Sequence, residues 1–377
     1  MKTLFQLLAL IFMSAALPTQ SSAADPVVFV SAFAPGEDGA IHAYGFDSKS
    51  GKLTLLKRTT DVENPFFMAL SDDGKFLYSI HALKFGGDEN EEVAAYKLDG
   101  RSGKLSLLNR QTSHGLASCY VDVDATGKTV VVSNYSSGDV ASYPVRENGE
   151  LGESVSYFKH VGASVDPKRQ KGPNAHSIVI SPDNKFAFSA DLGIDKIMIY
   201  QLEAATARLT PNDPASADLP PGSGPRHLTF HPNGKFLYAI NEMGNTVSVF
   251  AYDSTKGTLT DLQITSTIPD SFEGVTHTAD LKITPDGKFL YGTNRGHDTI
   301  ASYQIGDEGK LTLLKIVPSL GKGPQNLAIT PDGGHLICAN MPGNNVVVFK
   351  IDSESGDLTS VGEPIEIPKP VCIMILP

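Results

Sequence analysis

A stretch of eighteen residues recurs six times along this chain. The copies are "PFFMALSDDGKFLYSIHA" (65–82), "SCYVDVDATGKTVVVSNY" (118–135), "AHSIVISPDNKFAFSADL" (175–192), "PRHLTFHPNGKFLYAINE" (225–242), "TADLKITPDGKFLYGTNR" (278–295) and "PQNLAITPDGGHLICANM" (324–341). They align without a gap, and their starts lie 53, 57, 50, 53 and 46 residues apart. A period near fifty constrains the fold more than any composition does, because each unit must bury its apolar face against a neighbour. Within a unit, a first strand runs into a Pro-Asp-Gly or Pro-Asn-Gly turn and a second strand such as "KFLYAIN". A third alternating strand such as "NTVSVFAYD" follows, then a Gly-Lys-Leu-Thr-like fourth. In these turns Pro presets φ, and Gly or Asn tolerates positive φ. Four antiparallel strands per repeat of this length predict an all-β propeller.

The two ends supply the missing blade. "VVFVSAFAPGEDGAIHAYGFDSKSGKLTLL" (27–56) matches strands two to four of a unit, and "PVCIMIL" (370–376) matches a first strand alone. The C-terminal strand should pair with the N-terminal three, which closes a seven-bladed ring and removes free sheet edges. Residues 24–377 are expected to form this one domain. The chain has no Trp, which sets it apart from WD40 repeats.

Residues 1–23 read as a secretory signal peptide. Lys2 gives a basic start, "LFQLLALIFMSAAL" (4–17) an apolar core, and "SSA" (21–23) a small-residue cleavage site before Ala24. The mature protein is expected to be exported, to the periplasm, with no membrane attachment after cleavage. Net charge is −11, which argues against nucleic acid as a partner, since phosphate binding needs a basic face. Three cysteines, Cys119, Cys338 and Cys372, sit in apolar runs and read as buried free thiols. No Cys/His spacing suits a metal, so neither metal nor cofactor is expected. "ENEE" (89–92) reads as a solvated charge run.

Where a site would lie follows from the antiparallel pairing. The start of strand one and the end of strand two share one end of a blade, hence one rim of the channel. Around the ring these two positions hold mostly apolar or neutral residues, among them Phe66, Cys119, Tyr135 and Gln325. The ionisable exceptions, Tyr aside, are His176, Arg226, Glu242 and Arg295, in three consecutive blades. A structural ion pair would explain Arg226 and Glu242, but partly buried pairs are not reliably stabilising. Two guanidiniums, a carboxylate and an imidazole at a channel mouth fit anion binding or acid–base chemistry better. His227 and Asp280 lie one residue further along strand one and should face the other way. His277 and His297 flank the Arg295 blade as loop residues. Asn134, Asn241, Asn294 and Asn340 read as turn chemistry.

These motifs resemble the propeller-type lactonases, over roughly residues 27–377. That family holds bacterial 6-phosphogluconolactonases and fungal 3-carboxy-cis,cis-muconate lactonizing enzymes. The resemblance implies a metal-free site of one His, two Arg and one Glu. The His falls on His176 in "AHSIV", the first Arg on Arg226 in "GPRH", the Glu on Glu242 in "AINE", and the second Arg on Arg295 in "TNRGHD". It also implies lactone hydrolysis. Glu242 or His176 would then handle the proton, and Arg226 and Arg295 would bind the substrate and its developing oxyanion. The expected substrate is a small lactone, anionic or polyhydroxylated. An exported protein suits a non-phosphorylated aldonolactone or another carboxylated lactone better than a phosphorylated one. Two other expectations compete: a muconate-type cycloisomerase using the same four residues, and a binding propeller without a reaction. A calcium-dependent gluconolactonase fits less well, since one carboxylate is too few for a calcium cage.

Overall fold

The computed structural model describes residues 25–82 and 91–377. The signal peptide expected at 1–23 lies outside them.

The repeat's turn is self-contained. In "TPDGKF" (284–289), Gly287 N–H donates to Thr284 O at 2.8 Å, with Gly287 at φ 75°. Thr284 Oγ1 donates to Asp286 Oδ1 at 2.7 Å and accepts from Phe289 N–H at 3.0 Å. The turn thus starts the second strand as well as ending the first.

Among the described residues the strands form seven four-stranded antiparallel sheets. Blade one spans 65–112, blade two 118–159, blade three 175–218, blade four 225–266, blade five 277–318 and blade six 324–366. The closing blade joins Val27–Ala32, Ala40–Asp47 and Lys52–Thr59 to Pro370–Leu376. Pro370–Leu376 is its innermost strand and pairs antiparallel with Val27–Ala32, as the sequence ends predict. The first strand of each blade packs on that of the next, all the way round the channel.

Blades interlock through the residues that make the repeat recognisable. Tyr238, fully buried in blade four, donates to Gly309 O of blade five at 2.8 Å, and Tyr291 likewise donates to Gly356 O of blade six at 3.0 Å. Gly309 has φ 76°, and a Cβ there would sit 2.6 Å from the Phe236 ring. Glycine is required at that turn both by its backbone and by the aromatic ring from the preceding blade. Cys119, Cys338 and Cys372 are all free and buried.

One feature was invisible in the repeat. Each innermost strand breaks register at its rim end. The extra residue is Cys119 in blade two, His176 in blade three, Arg226 in blade four and Gln325 in blade six. Val371 holds the place in the closing blade, and blades one and five carry two such residues, Phe66–Phe67 and Ala279–Asp280. A bulge leaves its residue out of the ladder and re-aims its side chain. Seven bulges in register make a ring of side chains free of the two-residue alternation of a regular strand.

Candidate active site

Four side chains named from the ring comparison meet at Glu242. That residue follows the second strand of blade four, Phe236–Asn241, and its N–H is anchored on Gly224 O at 2.7 Å. Arg226, on the bulge of the partner strand, donates from Nε to Glu242 Oε2 at 3.1 Å. Arg295 of blade five donates from Nη2 to the same oxygen at 2.7 Å. His176 Nε2 of blade three stands 3.8 Å from Oε2, beyond hydrogen-bond length. All but Arg295 are buried.

A fifth residue completes the cluster. Arg169 donates from Nη2 to Glu242 Oε1 at 2.6 Å and to Tyr135 Oη at 3.2 Å. It comes from the segment linking blades two and three. Asp166 Oδ1 there accepts from the N–H groups of Lys168 and Arg169, and buried Gln170 donates to Leu192 O. This residue was missed because the linker is not part of the repeat. One signal pointed to it: the interval of 57 residues, the longest of the five, carries the basic run "PKRQK" (167–171).

Charges set the protonation states. Burial alone would raise the pKa of Glu242, but Arg295, His176, Arg226 and the Arg169 hydrogen bond outweigh it and hold the carboxyl well below its usual range. Burial brings the Arg226 pKa down, helped by Arg295 and opposed by Glu242, to about 10, so it stays cationic at neutral pH. His176 is driven well below the ordinary histidine value, first by burial and then by Arg226, against the pull of Glu242. At neutral pH the centre therefore holds a carboxylate, three guanidiniums and a neutral imidazole.

Behind it lies a polar chain that the alternation argument misplaced. His227 and Asp280 do not face away. Arg226 Nη1 donates to His227 Nε2 at 3.0 Å, and His227 Nδ1 donates to Asp280 Oδ1 at 2.8 Å. The His227 ring also lies 5.6 Å from that of His176. Asp280 Oδ2 accepts from Asn326 Nδ2 at 2.7 Å and Leu327 N–H at 2.9 Å, and Asn326 Oδ1 accepts from Ile373 N–H of the closing strand at 2.8 Å. The bulges at Arg226 and at Ala279–Asp280 reverse the expected faces. Burial, with the Arg226 charge, lowers the His227 pKa to about 3, so a neutral ring buttresses the arginine.

Other expectations fare variously. His297 is held by Thr299 Oγ1 at 2.8 Å and packs on Phe272. His277 begins the first strand of blade five, paired opposite Arg295. Asn241 and Asn294 bond hydroxyls of the following strand, Thr246 and Thr299, as turn chemistry requires. Glu91, read as part of a solvated run, is buried at 5% exposure. Its Oε2 accepts from Ser118 N–H at 2.5 Å, and burial raises its pKa to about 7.

Fold and centre together define a propeller with a guanidinium-bound carboxylate and an imidazole at one channel mouth. The chain belongs to the lactonase family of seven-bladed β-propellers, whose model matches residues 27–375. It is 33% identical over 349 residues to a 6-phosphogluconolactonase of Bacillus subtilis, covering 92% of this chain and 97% of that one. A second 6-phosphogluconolactonase, from Formosa agariphila, is 34% identical over 346 residues, covering 90% and 96%. Among solved structures, a periplasmic gluconolactonase of Pseudomonas aeruginosa superposes with a TM-score of 0.87 at 30% identity, covering 93% of this chain and 99% of that one.

Proposed function

We propose that the protein hydrolyses a sugar lactone without a metal, with His176 as the base and Glu242 as its electrostatic partner. The observation that carries this division of labour is the saturation of Glu242. Its two oxygens accept from three guanidiniums. A carboxylate so held is a poor proton acceptor. His176 Nε2, by contrast, faces Oε2 at 3.8 Å and makes no hydrogen bond among the described residues.

In the reaction, water attacks the lactone carbonyl as His176 Nε2 takes its proton. The imidazolium so formed lies beside Glu242, which stabilises it. Negative charge on the former carbonyl oxygen is met by Arg226 and Arg295. Collapse of the tetrahedral intermediate breaks the ring C–O bond, and His176 returns the proton to the leaving oxygen. The product is a hydroxy acid, which loses a proton at neutral pH. Proton release on adding glucono-δ-lactone or its 6-phosphate, above the spontaneous rate, tests the proposal; no acceleration with either lactone counts against it.

Two smaller predictions follow from the geometry. Arg169→Ala frees Glu242 Oε1 and lets the carboxylate swing from its place beside His176. The side chain is 35% exposed, so its hydrogen bond is screened, and kcat should fall only about tenfold with little change in thermal stability. The pH profile gives the second. A base whose pKa is held well below 6.5 stays unprotonated through pH 6.5. After subtraction of spontaneous hydrolysis, kcat/KM should hold level from neutral pH down past 6.5 and drop only in more acid solution. A limb centred at or above 6.5 would contradict a buried neutral His176.

Export to the periplasm is part of the same proposal. It is supported by the pattern of residues 1–23 and by the periplasmic location in the name of the Pseudomonas aeruginosa relative.

A further inference from the structure

Beside Arg295, between blades five and six, a pocket of about 590 Å³ shares that one side chain with the catalytic cluster, and the reaction above uses none of its other lining residues. One wall is apolar, made by Val275, Met341 and Pro342; Val275 is 81% exposed although it borders the site. The charged lining residues are Arg295, Lys322 and Lys369 against a single carboxylate, Asp298. Asp298 Oδ1 is already occupied by the N–H groups of Gly296 and Gly323, at 3.1 and 2.8 Å. The wall is thus locally cationic in a chain whose net charge is −11. Two buried nitrogens here, Arg295 Nε and His277 Nδ1, have no hydrogen-bond partner.

Each observation fits the same ligand. Unpartnered buried nitrogens are costly unless a ligand completes them. Exposed lysines next to a catalytic guanidinium attract an anion and hold it without rigid geometry. An apolar wall between the two suits a short carbon arm rather than a ring of hydroxyls. We propose that this pocket is a specificity subsite for an anionic group, phosphate or carboxylate, carried on a short exocyclic arm of the lactone, with Lys322 and Lys369 as its recognition residues. The inference rests on the lactonase reading.

The test compares wild type with the Lys322→Ala/Lys369→Ala double variant on three lactones: glucono-δ-lactone, its 6-phosphate, and a glucaric acid lactone bearing a free carboxylate. Both lysines are exposed, so the variant should fold, with a melting temperature close to wild type. KM for an anionic lactone should rise about tenfold or more while kcat holds, and the effect should shrink in high salt. Kinetics on the neutral lactone should be unchanged. Which anionic lactone responds tells phosphate from carboxylate. Equal effects on neutral and anionic lactones, or no effect on any, would overturn the subsite and leave the lactonase reading standing. A wild-type protein that accelerates none of the three would sink that reading, and the subsite with it.

Discussion

His176→Ala is expected to lower kcat by about two to four orders of magnitude, the usual weight of a positioned general base. KM should change little, because Arg226 and Arg295, which would hold the substrate, are left in place. The fold should survive: His176 sits on a bulge outside the strand ladder, against the channel rather than in a blade core. The measurement is stopped-flow proton release at saturating lactone, with circular dichroism on the same sample. His176→Gln makes a useful second variant, since it keeps a polar side chain of similar length but cannot take up a proton at these pH values. If the two variants keep turnover within about threefold of wild type, the base lies elsewhere. Glu91, whose carboxyl has a pKa near 7, would then be the next group to replace.

Glu242→Gln should cost both activity and stability. The substitution removes the one negative charge shared by Arg169, Arg226 and Arg295. It also sets an amide donor against guanidinium donors. Breaking a buried ion pair from one side costs about 3–5 kcal/mol, because the partner charge is left uncompensated; Arg226 is 2% exposed and cannot turn to water. At roughly 1–2 °C per kcal/mol for a domain of this size, the melting temperature should fall by about 5 °C. The pH dependence separates charge from shape. Glu242 has a folded pKa depressed below its ordinary 4.5. Its ionic contribution is therefore fully present above pH 4.5 and is lost as pH falls through the folded value. The stability gap between wild type and variant should be level above pH 4.5 and narrow in more acid solution. A gap that does not change with pH would assign the loss to packing. Turnover should also drop steeply, since the imidazolium loses its counter-ion and the arginines their alignment.

The architecture was legible because the signal repeats. Six copies of one motif, plus complementary fragments at the two ends, define a closed seven-bladed ring without any appeal to strand propensity. The same comparison exposed His176, Arg226, Glu242 and Arg295, since a charge stands out where its six equivalents are mostly neutral. What the repeat could not show is where it departs from regular strand geometry. The faces expected of His227 and Asp280 follow from two-residue alternation, and the rim bulges break that alternation, at Arg226 just before His227 and at Ala279–Asp280 itself. Bulges leave no mark on an aligned sequence, because all seven blades share them. Arg169 and Glu91 were lost for the opposite reason. Both lie between strands, where copies differ and comparison has nothing to align. Glu91 also sits in a run of acidic letters, and local composition gives no hint that it turns inward beneath Ser118.

Closure of the ring by Pro370–Leu376 has a consequence for the timing of folding. Ser31 and Cys372 are ladder partners, yet 341 positions separate them. Bringing such distant points together costs about 5 kcal/mol of chain entropy, by the logarithmic scaling of loops. During synthesis the strand Val27–Ala32 emerges well before its partner, and its inner edge waits unpaired until Pro370–Leu376 has been made. An edge of this kind, a nearly continuous apolar run, invites pairing with another nascent chain. Pro370–Leu376 therefore acts as a late lock: a chain that stops short of this strand keeps an adhesive edge, and one that includes it can cover that edge.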